Sequence, residues 1–339
     1  MTTNSPSVVA LGGGHGLHAT LRAARRVSEQ VTAIVTVADD GGSSGRLRRE
    51  LGALPPGDLR MALSALAADT EHEQLWATTV QHRFGGTGAL AGHPVGNLLI
   101  TGLAEVLGDP VAALDMVATL LGVRGRVLPM SAVPLDIEAD VVGLHNDPRV
   151  STAVRGQHAV AITEGQVRRV RLLPADPPAC PEAVRAVRTA DLVVLGPGSW
   201  FSSVIPHVLV PQLLEAIVAT DAVRVAVLNL SPQYGETTGF TTERHLHVLS
   251  QHAPGLQLDA VVVDRRSLLP GADTAHVDRI AAQLGARLHV VDVAVAGTDI
   301  HDEVRLGEVL AEVLSHGRIP ALTRPVHEKI DGEDAPAWR

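Results

Sequence analysis

Two adjacent carboxylates and a run of glycines and serines follow an apolar segment near the N-terminus. The β-branched stretch from Val31 to Val37 leads into Asp39 and Asp40, and the next residues are Gly41, Gly42, Ser43, Ser44, Gly45 and Arg46. Closely spaced glycines let several backbone N–H groups converge, and hydroxyls and a guanidinium add further donors. These donors suit phosphate oxygens, whereas the carboxylates suit a ribose hydroxyl, a sugar or a divalent metal ion. A flexible turn after a strand is the alternative interpretation.

A second glycine turn lies between an apolar run, Val8–Leu11, and a helical pattern from Leu17 to Val27. A strand, a glycine turn and a helix form the phosphate-binding βα unit, because the helix N-terminus offers free N–H groups to an anion. Gly14-x-Gly16-x-x-Ala19 matches the dinucleotide fingerprint, and Asp39 follows Ala19 by about 20 residues, where that fold places its ribose-binding acid. Tight helix-on-sheet packing is the alternative reason for the glycines. The turn residues predicted to bind phosphate are Gly12, Gly13, Gly14, His15 and Gly16.

A third glycine turn, GPGS from Gly196 to Ser199, follows the buried-strand pattern Asp191–Leu195. Because parallel strands bind ligands at their carboxyl ends, Gly196, Gly198 and Ser199 should close on the same diphosphate as the Gly41–Gly45 run. The loop after the predicted strand Arg224–Leu230 adds candidates for recognition of a base or sugar by hydrogen bonds. These are Asn229, Gly235 and Glu236; alternatively, the two side chains only satisfy loop backbone groups.

Polar residues near three predicted helix starts complete the candidate site. Asp58 is predicted to be the N-cap of a helix that runs to Ala68, and Arg60 lies in its first turn, where a cation is unfavourable. A phosphate bound beside Ser43 and Ser44 would explain Arg60, with chance placement as the alternative. The remaining candidates are His93 and Asn97, which either contact a ligand or cap a helix, and Arg305 in the first turn of the last predicted helix.

The composition limits the function classes. The chain has 339 residues, of which 45% are hydrophobic and only 2% aromatic, so its core is built from Ala, Val, Leu and Ile. A formal net charge of −9 and the lack of a long basic run argue against nucleic acid as a partner. The single cysteine, Cys180, excludes an internal disulfide, and no apolar run reaches membrane-spanning length. We therefore expect a cytoplasmic protein.

The order of the patterns predicts an α/β fold, Rossmann-like and doubly wound, with a mostly parallel sheet. We expect a single nucleotide-binding domain over residues 7–317, followed by a mobile tail over 318–339. Residues 75–122 should form a helical insertion, and the period-two pattern over 125–174 predicts a small antiparallel β element. Its predicted strands are Arg126–Leu128, Leu135–Val141, His158–Thr163 and Val167–Leu172.

Together the motifs resemble those of the YvcK family, also called the gluconeogenesis factor family. The resemblance runs from about Val8 to Leu314 and rests on GGGHGL, TVADDGGSSGR, PGDLR, HPVGN, GPGS and GET. It implies a cytoplasmic, Rossmann-like protein that binds UDP-sugars, chiefly UDP-N-acetylglucosamine, and sustains cell-wall synthesis and cell shape on gluconeogenic carbon sources. This chain departs from the family at three points: His15 replaces a usual Thr, Pro232 replaces another, and a late-helix tyrosine is missing.

Three functions compete. The first is a UDP-sugar sensor without turnover, which signals to a protein partner in amino-sugar or cell-wall synthesis and needs no cofactor. A homodimer is one form in which such a sensor could act. The second is the reaction of the family's enzymatic relative, 2-phospho-L-lactate transferase, in which Asp39 and Asp40 would hold Mg²⁺ against a nucleotide diphosphate. The third is an NAD-dependent dehydrogenase, for which the third glycine turn and the Ser43–Ser44 segment would be superfluous.

Overall fold

A computed structural model describes residues 5–318, apart from residues 146, 148, 149, 234, 235 and 269–273. The predicted tail over 318–339 lies almost wholly outside the described residues. The described part contains ten strands in two sheets. They are β1 (Ser7–Gly12), β2 (Gln30–Val35), β3 (Arg126–Pro129), β4 (Asp136–Val142), β5 (Ser151–Arg155), β6 (Gln166–Leu173), β7 (Leu192–Leu195), β8 (Val223–Val227), β9 (Ala260–Asp264) and β10 (Arg287–Val291).

Thirteen α-helices connect and cover these strands within the described ranges. They are α1 (Gly14–Val27), α2 (Gly42–Leu51), α3 (Pro56–Leu66), α4 (Glu71–Gln81), α5 (Val95–Leu107), α6 (Pro110–Leu120), α7 (Gln157–Ala161), α8 (Pro181–Arg188), α9 (Ile205–Val208), α10 (Pro211–Ala219), α11 (Thr242–His252), α12 (Thr274–Gln283) and α13 (Glu303–His316). A π-helical turn, Trp200–Val204, precedes α9, and a 3₁₀ turn, Arg265–Ser267, follows β9.

The main sheet has seven parallel strands in the order β10-β9-β8-β7-β1-β2-β3. Every residue of β7, β8 and β9 is buried. Because alternate residues of a strand point to opposite faces, helices must cover both faces of the sheet. On one face of the sheet, α1 packs against α3 and α13. The predicted doubly wound α/β fold is confirmed.

The order of the strands reverses between β1 and β7. From β1 the chain moves outwards through β2 and β3, and later moves the opposite way from β7 through β8, β9 and β10. The loops after β7, β1 and β2 therefore lie side by side at the carboxyl edge of the sheet. In open α/β sheets such a reversal is where ligands bind.

The small sheet is antiparallel, as predicted, with β4 between β5 and β6. Two details of the prediction are wrong. Arg126–Pro129 belongs to the main sheet, where it pairs in parallel with β2. Residues 158–163 do not form a strand, because Gly156, at φ 103°, ends β5 and Gln157–Ala161 forms helix α7. Arg48 of α2 fastens this sheet by donating to the Leu135 carbonyl at 2.8 Å and to Asp136 at 2.5 Å.

No single helix in the described ranges is long and apolar enough to cross a membrane. Two consecutive helical segments, Trp200–Val208 and Pro211–Ala219, reach sufficient apolar length only when joined, and the chain bends by 72° between them.

Candidate functional site

The first and third glycine turns touch each other through their backbones. A Cβ atom on Gly16 would lie 2.3 Å from the carbonyl oxygen of Pro197 and 2.6 Å from Cα of Gly198. Real Cβ atoms do not approach backbone this closely, so the contact requires glycine at position 16. Gly13 is equally restricted, because its Cβ would meet a carboxylate oxygen of Asp58 at 2.4 Å. The start of α1 is thus held between the β7 loop and α3.

The Gly41–Gly45 run is the start of a helix and not a flexible turn. Gly41 is the N-cap and α2 begins at Gly42, after Asp39 Oδ1 accepts a hydrogen bond from the Gly41 N–H at 2.9 Å. The predicted β-strand that leads to Asp39 is also shorter than expected, because β2 ends at Val35. A helix N-terminus still presents unpaired N–H groups, so the segment keeps its suitability for an anion.

The two serines of this segment hold α2 against its neighbours. The Ser43 hydroxyl lies 2.7 Å from Nδ1 of His93 and accepts from the Asn97 amide at 3.0 Å, while the Ser44 hydroxyl accepts from the Gly57 N–H at 3.0 Å. Burial and the nearby Arg46 guanidinium lower the pKa of His93. Neither His93 nor Asn97 caps α5, whose N-cap is Pro94 and has no side-chain capping bond. Ser43, His93 and Asn97 therefore form one buried network, and Ser44 makes a separate bond to α3; together these contacts position the α2 N-terminus.

Asp58 does not cap α3, contrary to prediction, because the helix already starts at Pro56 with Pro55 as its N-cap. Its carboxylate instead points at the β1 turn, where the Gly14 N–H is a hydrogen-bond partner. Burial and the negative charge of Asp39 raise the pKa of Asp58 to about 7. Two carboxylates therefore lie close together beside the α1 N-terminus.

Arg60 is buried beside these carboxylates and is 4% exposed. Two of its guanidinium nitrogens, Nε and Nη1, have no hydrogen-bond partner among the described residues. Burial and the charge of Arg83 lower the pKa of Arg60 to about 10, against the opposing effect of Asp58 and Asp39. Burying a cation whose donors are unpaired costs free energy, so an anion bound beside Arg60 would be stabilised by charge and by hydrogen bonds.

Asp40 and Arg46 are engaged by other parts of the chain. Asp40 Oδ1 accepts a hydrogen bond from the His158 N–H at 2.9 Å, at the start of α7. Arg46 donates to the carbonyls of Ala91 at 2.8 Å and Ala89 at 3.3 Å. Both side chains thus connect the α2 segment to neighbouring loops.

The polar residues after β7 and β8 bind one another. The Asn229 amide donates to the Gly198 carbonyl at 2.8 Å and accepts from the Gly198 N–H at 2.9 Å. Ser199 donates to Oε2 of Glu236 at 2.5 Å. Burial raises the pKa of Glu236, which is 3% exposed, although neighbouring hydroxyl and backbone donors partly offset this. The described contacts of Asn229 and Glu236 therefore hold the Gly196–Ser199 turn, and Gly235 lies outside the described residues.

A cavity of about 220 Å³ lies at the strand-order reversal, between the α1 N-terminus and the loops after β7, β8 and β10. Arg305 does not line it and instead contacts the Ala294 carbonyl at 3.5 Å and Asp302 at 3.9 Å. Sequence reasoning named the loop after β8 but not its residues Ser231 and Gln233, and it missed Asp299 and His301 because no motif marks the end of β10. The lining residues are His15, Gly16, Ala19, Pro197, Gly198, Asn229, Leu230, Ser231, Gln233, Asp299, Ile300 and His301.

Comparison with known proteins identifies the family. A family model described as "2-phospho-L-lactate transferase CofD" matches residues 8–275. The chain belongs to the CofD family. It is 62% identical to the "Putative gluconeogenesis factor" of Mycobacterium leprae, over 90% of this chain and 85% of that protein. It is 40% identical to the "Gluconeogenesis factor" of Halalkalibacterium halodurans, over 76% of this chain and 77% of that protein.

A solved structure supports the same assignment within the CofD family. The crystal structure of a UPF0052 family member from Bacillus halodurans has a TM-score of 0.80 and 34% identity, and the match covers 91% of this chain and 99% of that one. The resemblance to the gluconeogenesis factors is therefore confirmed.

The described part of this CofD-family chain contains no group of three or more His, Cys, Asp or Glu side chains that could hold a metal ion. Asp58 contacts the α1 turn, and Asp39 is close enough to Asp58 to raise its pKa. A pair of this kind suits Mg²⁺ only together with substrate phosphates and water, because Mg²⁺ is commonly bound by one or two carboxylates plus such ligands.

Proposed function

We propose that this protein binds a UDP-sugar, chiefly UDP-N-acetylglucosamine, and acts as a cytoplasmic regulator of cell-wall synthesis and cell shape on gluconeogenic carbon sources. The observation that carries the proposal is Arg60, a buried guanidinium with two unpaired nitrogens beside the carboxylate that contacts the α1 N-terminus. A diphosphate would supply the missing acceptors. It would also gain from the free N–H groups of the α1 and α2 N-termini.

A sensor is favoured over an enzyme by the way the site's hydroxyls are used. Ser43 and Ser199 each contact a basic group, His93 and Glu236, but these bonds and the bond of Ser44 to Gly57 hold helices and loops in place, and Ser43 and Ser44 are buried. The relatives named as gluconeogenesis factors support a regulatory role. Its output would pass to a protein partner in amino-sugar or cell-wall synthesis, and a homodimer is one form in which the protein could act.

Isothermal titration with UDP-N-acetylglucosamine tests the proposal. We expect saturable heat with wild type and at least a tenfold weaker affinity for Arg60→Met, because a charge-assisted contact contributes about 1.5–3 kcal/mol. Arg185→Met is the matched control, since Arg185 is exposed on α8 and its side chain pairs only with Glu182 at 3.7 Å among the described contacts. No heat with wild type at high micromolar ligand would reject the proposal, and an unchanged affinity in Arg60→Met would reject the assigned site.

A second candidate is a Mg²⁺-dependent transfer of the 2-phospho-L-lactate type. The proximity of Asp39 and Asp58, which raises the pKa of Asp58, favours it. These two residues would hold the ion, in place of the predicted pair Asp39 and Asp40, since Asp40 is bonded to His158. Bound Mg²⁺ would neutralise charge on a nucleotide diphosphate. Product formation from a guanylated phospholactate donor, an acceptor and Mg²⁺ would establish this function, and titration with NADH separates both candidates from a dehydrogenase.

A further inference from the structure

A tight turn after β10 reaches the cavity at the strand-order reversal, and several hydrogen bonds fix its shape. Within residues 294–301, the Val295 N–H donates to the Ile300 carbonyl at 2.9 Å. The Thr298 hydroxyl donates to the Val295 carbonyl at 3.1 Å and accepts from the Ile300 N–H at 3.2 Å. Arg266 donates to the Thr298 carbonyl at 3.0 Å, which connects the turn to the loop after β9. The residues at the tip of the turn therefore have a defined position.

Asp299 lies at this tip, and it is the only acidic residue among the described residues that line the cavity. It is exposed, and its side chain has no hydrogen bond or ion pair with any described residue. Two aspartates nearby are used by the fold. Asp264 Oδ2 accepts from the Val293 N–H at 2.8 Å, and Asp302 is the N-cap of α13. The Asp299 carboxylate is thus the one at this end of the cavity that a ligand can use.

The charge of Asp299 limits what can lie beside it. The same cavity is lined by His15 and Gly16 of the α1 N-terminus, where the proposed diphosphate would bind. A carboxylate repels phosphate, so the part of the ligand that faces Asp299 must be uncharged and must supply hydrogen-bond donors. Vicinal hydroxyls satisfy both conditions, because two neighbouring O–H groups can donate to the two oxygens of one carboxylate.

The size and the walls of the cavity also suit a sugar ring. Its volume of about 220 Å³ corresponds to roughly seven water molecules, which is enough for one such ring and not for a whole nucleotide sugar. The Ile300 side chain next to Asp299 is 61% exposed and offers apolar surface to the C–H groups of a ring. The half-buried Ser231 adds a hydroxyl to the same cavity.

We infer that Asp299 binds a vicinal diol of the ligand, supplied by the ribose of the nucleotide or by the attached sugar. The inference rests on the proposed nucleotide-sugar binding and adds the group that recognises the hydroxyls. It places this contact after β10, whereas the sequence pattern assigned a ribose hydroxyl to Asp39. The Asp39 carboxylate instead accepts from the Gly41 N–H at 2.9 Å.

Titration of wild type with UDP and 2′-deoxy-UDP tests the ribose as the source of the diol. If the ribose faces Asp299, UDP should bind at least tenfold more tightly, because the deoxy ligand lacks one charge-assisted hydrogen bond. Equal affinities assign the diol to the attached sugar. In that case Asp299→Asn should weaken UDP-N-acetylglucosamine at least tenfold and leave UDP unchanged.

Asp299→Asn keeps the size of the side chain but removes its charge and one acceptor. With the ribose as the source, this variant should weaken UDP at least tenfold and reduce the UDP-to-2′-deoxy-UDP ratio below threefold. A carboxylate that only repelled phosphate would give the opposite sign, since its removal would tighten binding. The control is Asp292→Asn, which removes a charge outside the cavity and should bind within threefold of wild type. The Asp292 side chain is 67% exposed and pairs with Arg265 at 3.5 Å.

The outcomes separate failure of the inference from failure of the proposed function. If wild type binds UDP-N-acetylglucosamine but Asp299→Asn leaves the affinities unchanged or increases them, the inference is overturned and the proposed function stands. A tenfold UDP-to-2′-deoxy-UDP ratio that persists in Asp299→Asn also overturns it. If wild type binds neither UDP nor UDP-N-acetylglucosamine, both proposals are rejected. Asp299→Ala removes both carboxylate oxygens and should give at least the same loss of affinity.

Discussion

On the two sides of the β1 turn, similar polar residues are used in opposite ways. On one side, which we call the amide flank, Ser199, Asn229 and Glu236 hydrogen-bond to each other's loops and hold the Gly196–Ser199 turn. On the other, the arginine flank of Asp39, Asp58 and Arg60, a buried cation keeps two nitrogens unpaired, whereas Oε1 of Glu236 is the one unpaired buried atom among the three described side chains of the amide flank. Burial raises the pKa of a carboxyl on each flank, Asp58 and Glu236. The amide flank contributes stability, whereas the arginine flank carries a cost that a ligand could offset.

The strongest test of the amide flank is Asn229→Ala. This change removes both hydrogen bonds to the buried Gly198 backbone, so the free energy of unfolding should fall by about 3 kcal/mol. Urea denaturation measures the loss. Gln251→Ala, at an exposed amide of α11, is the control and should change stability by less than about 0.5 kcal/mol. Wild-type stability in Asn229→Ala would mean that the amide does not hold the turn.

The arginine flank predicts that the stability of the protein depends on pH, because the pKa of Asp58 is raised. Its pKa is about 7 in the folded protein against an ordinary value of 3.8, so between these values the folded state binds more protons than the unfolded state. The free energy of unfolding therefore falls as the pH rises from 3.8 towards 7 and levels off above 7. Relative to Asp58→Asn, wild type should lose roughly 2–3 kcal/mol between pH 5 and pH 8.

Urea denaturation of wild type and Asp58→Asn at both pH values measures this difference. The asparagine variant cannot ionise and serves as the baseline at each pH. If the difference in the free energy of unfolding between the two proteins is the same at pH 5 and pH 8, the pKa of Asp58 is not raised. The arginine flank would then be better solvated than its contacts indicate.

A third test removes the unpaired cation. Arg60→Met keeps an apolar chain of similar length, and the free protein should be unchanged or up to about 2 kcal/mol more stable, because a buried charge with unpaired donors is lost. Stability and affinity would then change in opposite directions in one variant. Thermal or urea unfolding without ligand measures the effect, and a clear destabilisation would place Arg60 with the structural residues of the amide flank.

The smallest effect is expected at Asp40. Its one described hydrogen bond, to the His158 N–H, is at a half-exposed position at the edge of the small sheet. Asp40→Ala should cost about 0.5–1 kcal/mol and leave nucleotide affinity within threefold. Asp40→Asn retains an acceptor and should restore part of the stability. A tenfold loss of affinity in Asp40→Ala would instead add this carboxylate to the arginine flank.

Several elements were predictable from sequence because their signals are local. The apolar run Val8–Leu11, the glycine turn and the helical spacing that follows give a βα unit whatever the rest of the chain does. Uninterrupted Val, Leu and Ala in the later strands indicate burial on both faces, and hence a parallel sheet. The same local patterns predicted that Gly16 and the Gly196–Ser199 turn lie at the carboxyl edge of the sheet. The family resemblance came from this ordered set of motifs.

Other elements depend on contacts between distant residues. Glycine and serine are poor helix formers, yet Gly42–Leu51 is a helix whose first turn is held by His93, Asn97 and Gly57. Residues 158–163 resemble a strand, but the chain there turns at Gly156 and the Asp40 carboxylate accepts the His158 N–H. Tertiary hydrogen bonds outweighed local preference in both places.

The sequence by itself determined the layered α/β fold, the edge at which the turns gather and the types of polar residue found there. Only the tertiary structure decided which of those groups are already bonded: Asn229 is used by Gly198, whereas Arg60 and His301 keep unpaired atoms. The physical reason is that residue type gives a side chain its capacity for hydrogen bonds. Whether that capacity is used within the protein or left for a ligand depends on neighbours that are distant in the sequence, such as Gly198, 31 residues before Asn229, which a local pattern does not contain.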